Sequence, residues 1–448
     1  MDYIVHTPCG TIKGVKGRVE GTVAYKGIRY AKARRFEYPQ IITEWDGIYE
    51  ATEYGNCSFQ PRSFYDEEKN LKKVFYYNEF RKNEKYTYSE DCLFLNIWTH
   101  ENVKENDNLP VIIYIHGGGF TGGCGHEKHF DGPVWPKHNV IGVTINYRLG
   151  PLGFMCLEEL ECLDGKTGNY GLYDQLTAIK WIKNNIKSFG GNPDNITIMG
   201  QSAGAMSVQQ LCLSPLTKGL FQKAVMSSGG GVSKLMSTPK PNNYYALGKR
   251  MMEITKSITL EDFKNVDITI LFDAWNQAKK ELKIMGMPAG PVIDNELIID
   301  NGSNILKKKE HHKIPYMVGS NSEDIIPPII QSMAQKWCIQ QEVDSYCWMF
   351  NHQLPGDKCG SWHSSDLWYW FGTLDNCWRP LSVVDYSISN EMVLCLTNFA
   401  KNGVPGDSWE PTSKKNKKVM HFNTNICMKR VKKSKLWYNL ITKKAVGE

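Results

Sequence analysis

Short apolar runs alternate with longer stretches of helical period along most of this chain. Apolar runs bounded by turn residues predict β-strands, and apolar positions three or four residues apart predict the helices between them. The predicted strands are residues 10–27 (an antiparallel pair), 92–99, 111–115, 140–145, 196–199, 223–226, 315–318 and, as the last strand, 419–422. The predicted helices include residues 174–187 and 205–213. This alternation indicates an α/β fold with a central, mostly parallel sheet and helices on both faces.

The 448 residues contain no Ser/Pro-rich linker, no internal repeat and no break in composition. A chain of this length can bury a large core, and length alone would allow two or three domains. Because strands and helices alternate without interruption, we expect one α/β domain over residues 1–448.

The net charge of +6 comes largely from basic residues in the last third of the chain. They cluster at residues 414–415, 417–418 and 429–435. Nucleic-acid or membrane binding is one interpretation, but no interleaved aromatic residues or heptad pattern accompany the clusters. A solvated basic face explains them, so we expect neither a nucleic-acid nor a membrane partner. The pattern predicts no particular oligomeric state.

The first residues lack the basic start and apolar core of a secretory signal, and no run approaches the roughly 18 apolar residues of a membrane helix. Thirteen cysteines are present, most of them within apolar stretches, as Cys156, Cys212 and Cys395 are. Buried thiols in a reducing compartment fit this distribution better than a disulfide framework does. We therefore expect a cytoplasmic protein.

Gly200-Gln201-Ser202-Ala203-Gly204 connects the apolar run 196–199 to the predicted helix 205–213. A serine between two glycines at a strand-to-helix junction is typical of a nucleophile elbow. The chain turns so sharply there that side chains at the flanking positions would clash. By itself the five-residue pattern also arises by chance, so further residues have to support it.

A glycine run follows the apolar strand 111–115, in His116-Gly117-Gly118-Gly119. Consecutive glycines allow backbone N–H groups to approach an oxygen that becomes negative during a reaction. We expect the donors of this oxyanion hole to be the N–H groups of Gly117, Gly118 and Ala203.

Gly117, Gly119 and Gly122 also satisfy the spacing G-x-G-x-x-G of a dinucleotide site. Such a site requires an acidic residue at the end of the next strand to hold a ribose. The strand 140–145 ends in Asn-Tyr-Arg instead, and this argues against a nucleotide cofactor.

A serine nucleophile requires a base, normally a histidine that a carboxylate orients, and in hydrolases of this architecture the chain order is Ser, acid, His. His363 is the best-placed base, in a loop before the aromatic run 368–371. His311 and His312 lie in a polar stretch, and His421 lies inside a predicted strand.

Two acids follow the predicted strand 315–318, at the sheet edge where open α/β sheets carry their ligand sites. They are Glu323 and Asp324, in Gly-Ser-Asn-Ser-Glu-Asp. The residue pattern alone leaves both as candidates, and two solvated loop acids would give the same pattern.

Longer motifs surround these residues in a fixed order: residues 26–31 (KGIRYA), 90–97 (EDCLFLNI), 146–154 (NYRLGPLGF), 168–175 (GNYGLYDQ) and 189–193 (FGGNP). With them, the chain resembles the type-B carboxylesterase/lipase family, which includes the cholinesterases, and within it a short bacterial-type member. The resemblance covers residues 8–230, 288–325 and 358–372.

The resemblance implies an α/β-hydrolase fold, a Ser-His-Asp triad, a Gly-Gly-Ala oxyanion hole and no cofactor. Residue by residue, it implies the nucleophile Ser202, the base His363, the acid Asp324 and a supporting serine, Ser228. Gln201, a second supporting residue, stands where cholinesterases carry a glutamate, so an attraction for cationic substrates is not expected.

Two stretches, residues 231–287 and 325–358, look abbreviated against the family. They form the cap and wall the acyl pocket in longer relatives, so we expect an abbreviated cap and a shallow, open site. Cys57 and Cys92 match a pair that forms a disulfide in secreted relatives, and in a cytoplasmic protein they could remain thiols.

The sequence thus predicts a serine carboxylesterase that hydrolyses small-molecule esters through an acyl-enzyme intermediate. One alternative is a catalytically silent, cholinesterase-like binding protein, but such relatives lose the serine or the histidine, and both are present here. Another is a hydrolase of amide, thioester or carbamate bonds.

His126 and His129 lack an obvious third ligand, and we expect a loop there rather than a metal site.

Overall fold

The computed structural model describes residues 3–63, 68–69, 74–232, 237–284 and 286–431. Its strands are β1 (Tyr3–Thr7), β2 (Gly10–Lys16), β3 (Thr22–Arg29), β4 (Ala31–Lys32), β5 (Gln40–Ile41), β6 (Ile48–Glu50), β7 (Cys57–Ser58), β8 (Tyr88–Ser89), β9 (Phe94–His100), β10 (Leu109–Ile115), β11 (Ile141–Ile145), β12 (Gly191–Gln201), β13 (Lys223–Ser227), β14 (Tyr316–Asn321), β15 (Ser345–Phe350), β16 (Lys418–Phe422) and β17 (Cys427–Arg430).

The α-helices are α1 (Val74–Phe80), α2 (Gly150–Phe154), α3 (Glu158–Asp164), α4 (Tyr170–Asn185), α5 (Ala203–Leu213), α6 (Tyr245–Ile254), α7 (Leu260–Lys264), α8 (Ile268–Glu281), α9 (Gly302–Lys308), α10 (Pro327–Gln340), α11 (Leu367–Phe371) and α12 (Val383–Asn402). Short 3₁₀ turns connect several of them.

One large sheet runs through the molecule in the order β1-β2-β3-β9-β11-β10-β12-β13-β14-β15-β16-β17, with β6 beside β2. The pairs from β11 through β16 are parallel, whereas β1, β2, β3, β9 and β17 pair antiparallel with their neighbours in this order. The predicted mostly parallel sheet is therefore confirmed, and its carboxyl-end edge collects the loops that follow β10, β12, β13 and β14.

Both faces of the sheet are covered, as the continuous apolar run of β10 requires. Ile113 and Ile115 pack into a core on one face, and Ile112 and Tyr114 pack into a core on the other. The first core includes side chains from α4 and α5, and the second includes side chains from α11 and α12.

The second half of the chain contains two strands that the sequence did not predict. Residues 325–358, expected as an abbreviated insertion, contribute α10 and the sheet strand β15. The strand was missed because it is almost wholly buried and shows no alternation of apolar and polar positions. The last strand is not residues 419–422 either, since β17 follows and pairs antiparallel with β16.

The other stretch expected to be abbreviated, residues 231–287, contains α6, α7 and α8, which pack on the first core through Met251, Phe263 and Trp275. Residues 233–236 and 285 of that stretch lie outside the described residues, as do residues 432–435 of the basic cluster.

In the described part of the chain, no helix has both the length and the apolar character needed to cross a membrane.

A buried ion pair fixes the loop after β11 against α4. Arg148 donates from Nη2 to Asp174 Oδ1 at 2.7 Å and from Nε to Oδ2 at 2.9 Å, and its backbone N–H also donates to Oδ2 at 3.0 Å. Nη1 donates to the carbonyl of Glu37 at 2.8 Å. Burial works against the charged guanidinium, but the Asp174 carboxylate more than offsets it and raises the Arg148 pKa.

We predict that Asp174→Ala lowers the free energy of unfolding by about 3–5 kcal/mol, because it leaves an uncompensated buried charge. Chemical denaturation followed by circular dichroism measures this loss. Arg250, which pairs with Glu281 on the surface, provides the control, and Arg250→Ala should leave the unfolding midpoint nearly unchanged. An equally small effect of Asp174→Ala would show that the buried pair does not hold this loop.

Candidate active site

Ser202 stands alone between the end of β12 and the first residue of α5, in a strained backbone conformation with φ 56° and ψ −125°. Such a conformation costs a non-glycine residue on the order of 1–3 kcal/mol and persists only where the surroundings hold it. Here the Ser202 N–H donates to the carbonyl of Ser227 in the neighbouring strand, at 2.8 Å. The predicted elbow geometry is therefore present in the structure.

The glycines around the serine are required by close approach of backbone atoms. A Cβ on Gly200 would lie 2.3 Å from the carbonyl oxygen of Gly204. A Cβ on Gly204 would lie 2.0 Å from the carbonyl oxygen of Ile115, at the end of β10. No larger residue fits without moving the backbone, so these glycines bring the elbow against the neighbouring strand.

The glycine run after β10 lies directly beside the serine. A Cβ on Gly117 would come within 3.0 Å of Ser202 Cβ, and Gly118 adopts a φ of 106°. Among the described residues, the N–H groups of Gly117, Gly118 and Ala203 donate to no protein acceptor. All three are thus available to a ligand oxygen.

His363 and Asp324 form a hydrogen-bonded pair, with 2.5 Å between His363 Nδ1 and Asp324 Oδ1. The carboxylate also accepts from the N–H of Ile325 at 2.8 Å and from the N–H of Asn321 at 3.2 Å. Burial raises the Asp324 pKa, but His363 and the Ile325 N–H outweigh it, and the net pKa is lowered. Asp324 is therefore ionised, and His363 Nδ1 carries the shared proton.

Glu323, the other candidate acid, points elsewhere. It is exposed, and its carboxylate accepts from the N–H of Ser361 at 2.8 Å and from the hydroxyl of Ser322. It therefore fastens the loop that carries His363 rather than contacting the imidazole.

The second nitrogen of the imidazole meets an amide. His363 Nε2 lies 3.2 Å from Gln201 Nε2, so the lone pair of the imidazole accepts from the amide N–H. The Ser202 hydroxyl makes no hydrogen bond to His363 or to any other described residue in this arrangement. Gln201 thus holds the imidazole ring at the edge of the site.

Ser228 follows β13 with a left-handed φ of 55°, and its N–H donates to the carbonyl of Gly319 at 2.8 Å. Its hydroxyl is buried without a hydrogen-bond partner among the described residues, so the supporting role that the resemblance implies for Ser228 stays a prediction.

Ser202 and His363 line one cavity of about 410 Å³ at the carboxyl-end edge of the sheet. Three groups of residues line other parts of the wall. Residues 117–119 form a glycine side, Tyr76, Phe80 and Leu367 form an apolar side, and Arg62, Arg81 and Glu127 form a charged side. Burial raises the Glu127 pKa, but the two arginines lower it below its ordinary value overall. The volume lies within the range of small-molecule sites.

Two tryptophans near His363 lie behind the cavity wall. Trp362 and Trp368 pack on Phe80, with ring centroids 5.6 and 5.7 Å apart, behind the cavity wall. They support the wall and do not line the cavity.

Asp366 is a buried acid near the site that sequence reasoning did not single out. It accepts from Ser227 Oγ at 2.7 Å, from Trp370 Nε1 at 3.1 Å and from Asn321 Nδ2 at 3.2 Å. Burial raises its pKa. It thus ties the histidine loop to the ends of β13 and β14, and its position directly after His-Ser-Ser was the available signal.

A second histidine–aspartate pair lies away from the cavity. His352 Nε2 is 2.9 Å from Asp385 Oδ1, and the Tyr369 hydroxyl donates to the same oxygen at 2.7 Å. Among the other candidate bases, His311 contacts Gln341 and His312 contacts the Ser214 carbonyl, so neither reaches Ser202.

The family model described as the carboxylesterase family matches residues 1–345 and 325–438 of the chain. The chain belongs to the carboxylesterase family. Its fold is the α/β-hydrolase fold of that family.

Individual carboxylesterases support this membership. The chain is similar to the para-nitrobenzyl esterase of Bacillus subtilis, with 34% identity over 329 residues that cover 72% of this chain and 63% of the relative. It is 32% identical to the fumonisin B1 esterase of Sphingopyxis macrogoltabida over 71% of this chain and 56% of that protein. The matched stretch therefore spans less than two thirds of these curated relatives.

Solved carboxylesterase structures match over nearly the whole chain. A thermophilic PNB esterase superposes with a TM-score of 0.83 and 25% identity, covering 98% of this chain and 99% of that one. The structural match includes the second half of the chain, where β15, β16 and β17 complete the sheet.

Gly204→Ala should destabilise this carboxylesterase by more than about 2 kcal/mol, because the new methyl group overlaps a main-chain carbonyl that cannot give way. Differential scanning calorimetry and denaturant titration measure the loss. Gly290→Ala is the matched control: its Cβ would meet Phe120 at an ordinary 3.5 Å, and we expect a change within about 1 kcal/mol. Equal stability of the two variants would contradict the packing described for the elbow.

Proposed function

We propose that this member of the carboxylesterase family is a cofactor-free serine hydrolase of small-molecule carboxylic esters. The observation that carries the proposal is that a serine on a strained elbow, the glycine run 117–119 and an aspartate-bound histidine line one cavity. These are the groups that acyl transfer requires: a nucleophile, donors for a developing oxyanion and an oriented base.

In the proposed reaction, Ser202 Oγ attacks the ester carbonyl and His363 Nε2 takes the serine proton. Asp324 keeps the other imidazole proton on Nδ1 and stabilises the imidazolium that forms. The carbonyl oxygen becomes negative and accepts from the N–H groups of Gly117, Gly118 and Ala203.

Collapse of this intermediate breaks the carbon–oxygen bond, and the imidazolium gives its proton to the leaving alcohol. Water then gives a proton to His363 and attacks the acyl-enzyme, which releases the acid and restores the serine. Atoms and protons balance without any other reactant.

In this scheme Gln201 contacts the base before substrate binds. Its amide occupies the imidazole lone pair that has to accept the serine proton, at 3.2 Å. Substrate binding therefore exchanges the amide for the serine hydroxyl as the partner of Nε2. Hydrogen bonds of this kind are often loose in a free enzyme and tighten with substrate.

The substrates that fit are neutral or anionic esters of modest size. The cavity holds about 410 Å³, and Gln201 supplies no negative charge for a cationic alcohol. The para-nitrobenzyl esterase among the relatives supports an ester with an aromatic alcohol part. We further propose that residues 1–448 act as one domain and that the enzyme works in the cytoplasm, where its thirteen free cysteines would stay reduced.

Ser202→Ala and His363→Ala should each lower kcat/KM for a short p-nitrophenyl ester by at least about 10⁴-fold, since each removes one member of a unit that acts together. His352→Ala is the matched control, because His352 also binds an aspartate but lies outside the cavity. It should retain activity within about threefold once the folded fraction is corrected for. Unchanged turnover by folded Ser202→Ala protein would refute the proposed nucleophile.

Asp324→Asn and Glu323→Gln separate the two candidate acids by isosteric changes. Asp324→Asn should reduce kcat by about 10⁴-fold, because an amide favours the wrong imidazole tautomer. Glu323→Gln loosens only the histidine loop, so we expect a loss below about tenfold. Steady-state kinetics on one ester decide the matter, and a larger loss for Glu323→Gln would reassign the acid.

A further inference from the structure

Two thiols and an imidazole converge beside the oxyanion loop, outside the catalytic group. Cys57 Sγ, Cys124 Sγ and one ring nitrogen of His126 all lie within 4.8 Å of one another. All three residues are buried. In the sequence only Cys124 and His126 are neighbours, and the fold brings the third ligand, Cys57, from β7, 67 positions before Cys124.

From this geometry we propose that Cys57, Cys124 and His126 form a binding site for one thiophilic cation, Zn²⁺. Thiolate sulfur and neutral imidazole are the ligands that Zn²⁺ prefers in proteins. The ordinary bond lengths are about 2.3 Å to sulfur and about 2.0–2.1 Å to nitrogen, and in a tetrahedron they place sulfur and nitrogen about 3.5 Å apart. Cys57 Sγ and His126 Nε2 are 3.5 Å apart.

The backbone around the ligands is already fixed on both sides. The Cys57 N–H donates to the carbonyl of Thr87 at 2.8 Å, next to the small sheet of β7 and β8. Gln60 fixes Gly123, the residue before Cys124, through two hydrogen bonds. The Gly123 N–H donates to Gln60 Oε1 at 2.9 Å, and the Gly123 carbonyl accepts from Gln60 Nε2 at 3.1 Å. A prearranged ligand set lowers the entropy lost when the cation binds.

The His126 ring is held by stacking. The Tyr54 ring lies parallel to it, with centroids 4.7 Å apart and an angle of 8° between the planes. This contact keeps Nε2 directed at Cys57. Nδ1 is buried with no partner among the described residues, so no competing hydrogen bond turns the ring away.

Tyr86 provides a second sign of an incomplete site. Its hydroxyl is buried without a hydrogen-bond partner among the described residues, and its ring centroid is 5.6 Å from that of His126. A water would supply the fourth ligand of the tetrahedral shell that structural zinc sites show.

Charge supports a cation here. Two thiolates and one neutral imidazole around Zn²⁺ have no net charge, which is the arrangement that a buried position favours. The bound ion would join β7 to the loop that starts at the oxyanion glycines and so stiffen that loop.

Zinc titration of chelator-stripped, reduced full-length enzyme against a chromophoric competitor tests the proposal. We expect about one Zn²⁺ per chain, an upward shift in Tm on binding and, with Co²⁺, a thiolate charge-transfer band. Cys57→Ser, Cys124→Ser and His126→Asn should each weaken binding by at least about 100-fold. Cys92→Ser, which removes another buried thiol outside the ligand set, should bind like the wild type.

Alkylation mapping of the wild-type enzyme tests the site even if a variant fails to fold. Saturating Zn²⁺ should protect Cys57 and Cys124 from a thiol reagent and leave the exposed Cys162 and Cys359 reactive. The absence of stoichiometric zinc binding by reduced protein, binding that survives the ligand substitutions, or a Cys57–Cys124 disulfide that persists under reducing conditions would each overturn the proposal.

Discussion

The left-handed backbone of Ser202 is the constraint on which the site depends. A serine accepts this conformation only because Gly200 and Gly204 let the chain approach its neighbours within distances that no side chain permits. The strand order supplies those neighbours, since β12 lies between β10 and β13. One strand delivers the glycine run to the serine, and the other delivers the carbonyl of Ser227 that holds its N–H.

Asp324 and His363, the acid and base of the proposed triad, come from farther along the same edge. Asp324 follows β14, two strands away from β12. Its short side chain is long enough to contact His363 because the loop turns back, so that the Asn321 N–H donates to the Asp324 carboxylate. The His363 loop is fastened at two points, by Glu323 at Ser361 and by Asp366 at Ser227. Rigid anchoring of this kind holds an imidazole within the narrow geometry that proton transfer requires.

Local patterns predicted the first half of the chain well, because its strands are apolar runs bounded by glycine or proline and its elbow has a sequence signature. Tertiary placement was harder to predict. Nothing in the sequence shows that Gln201 reaches His363 or that Cys57 lies beside Cys124, since both contacts depend on how loops of distant strands meet. The strand β15 was missed for a related reason: burial under helices, rather than residue alternation, determines it.

The central claim is that the backbone turn at Ser202, with His363 beside it, makes this one hydroxyl reactive. Labelling the folded enzyme with a fluorophosphonate, followed by peptide mass spectrometry, tests it most directly, because the reagent forms a covalent bond only with an activated nucleophile. We predict one stoichiometric adduct, located on Ser202, that forms far more slowly in Asp324→Asn protein. A stoichiometric adduct on another residue, or none on Ser202 in an enzyme that hydrolyses esters, would contradict the account.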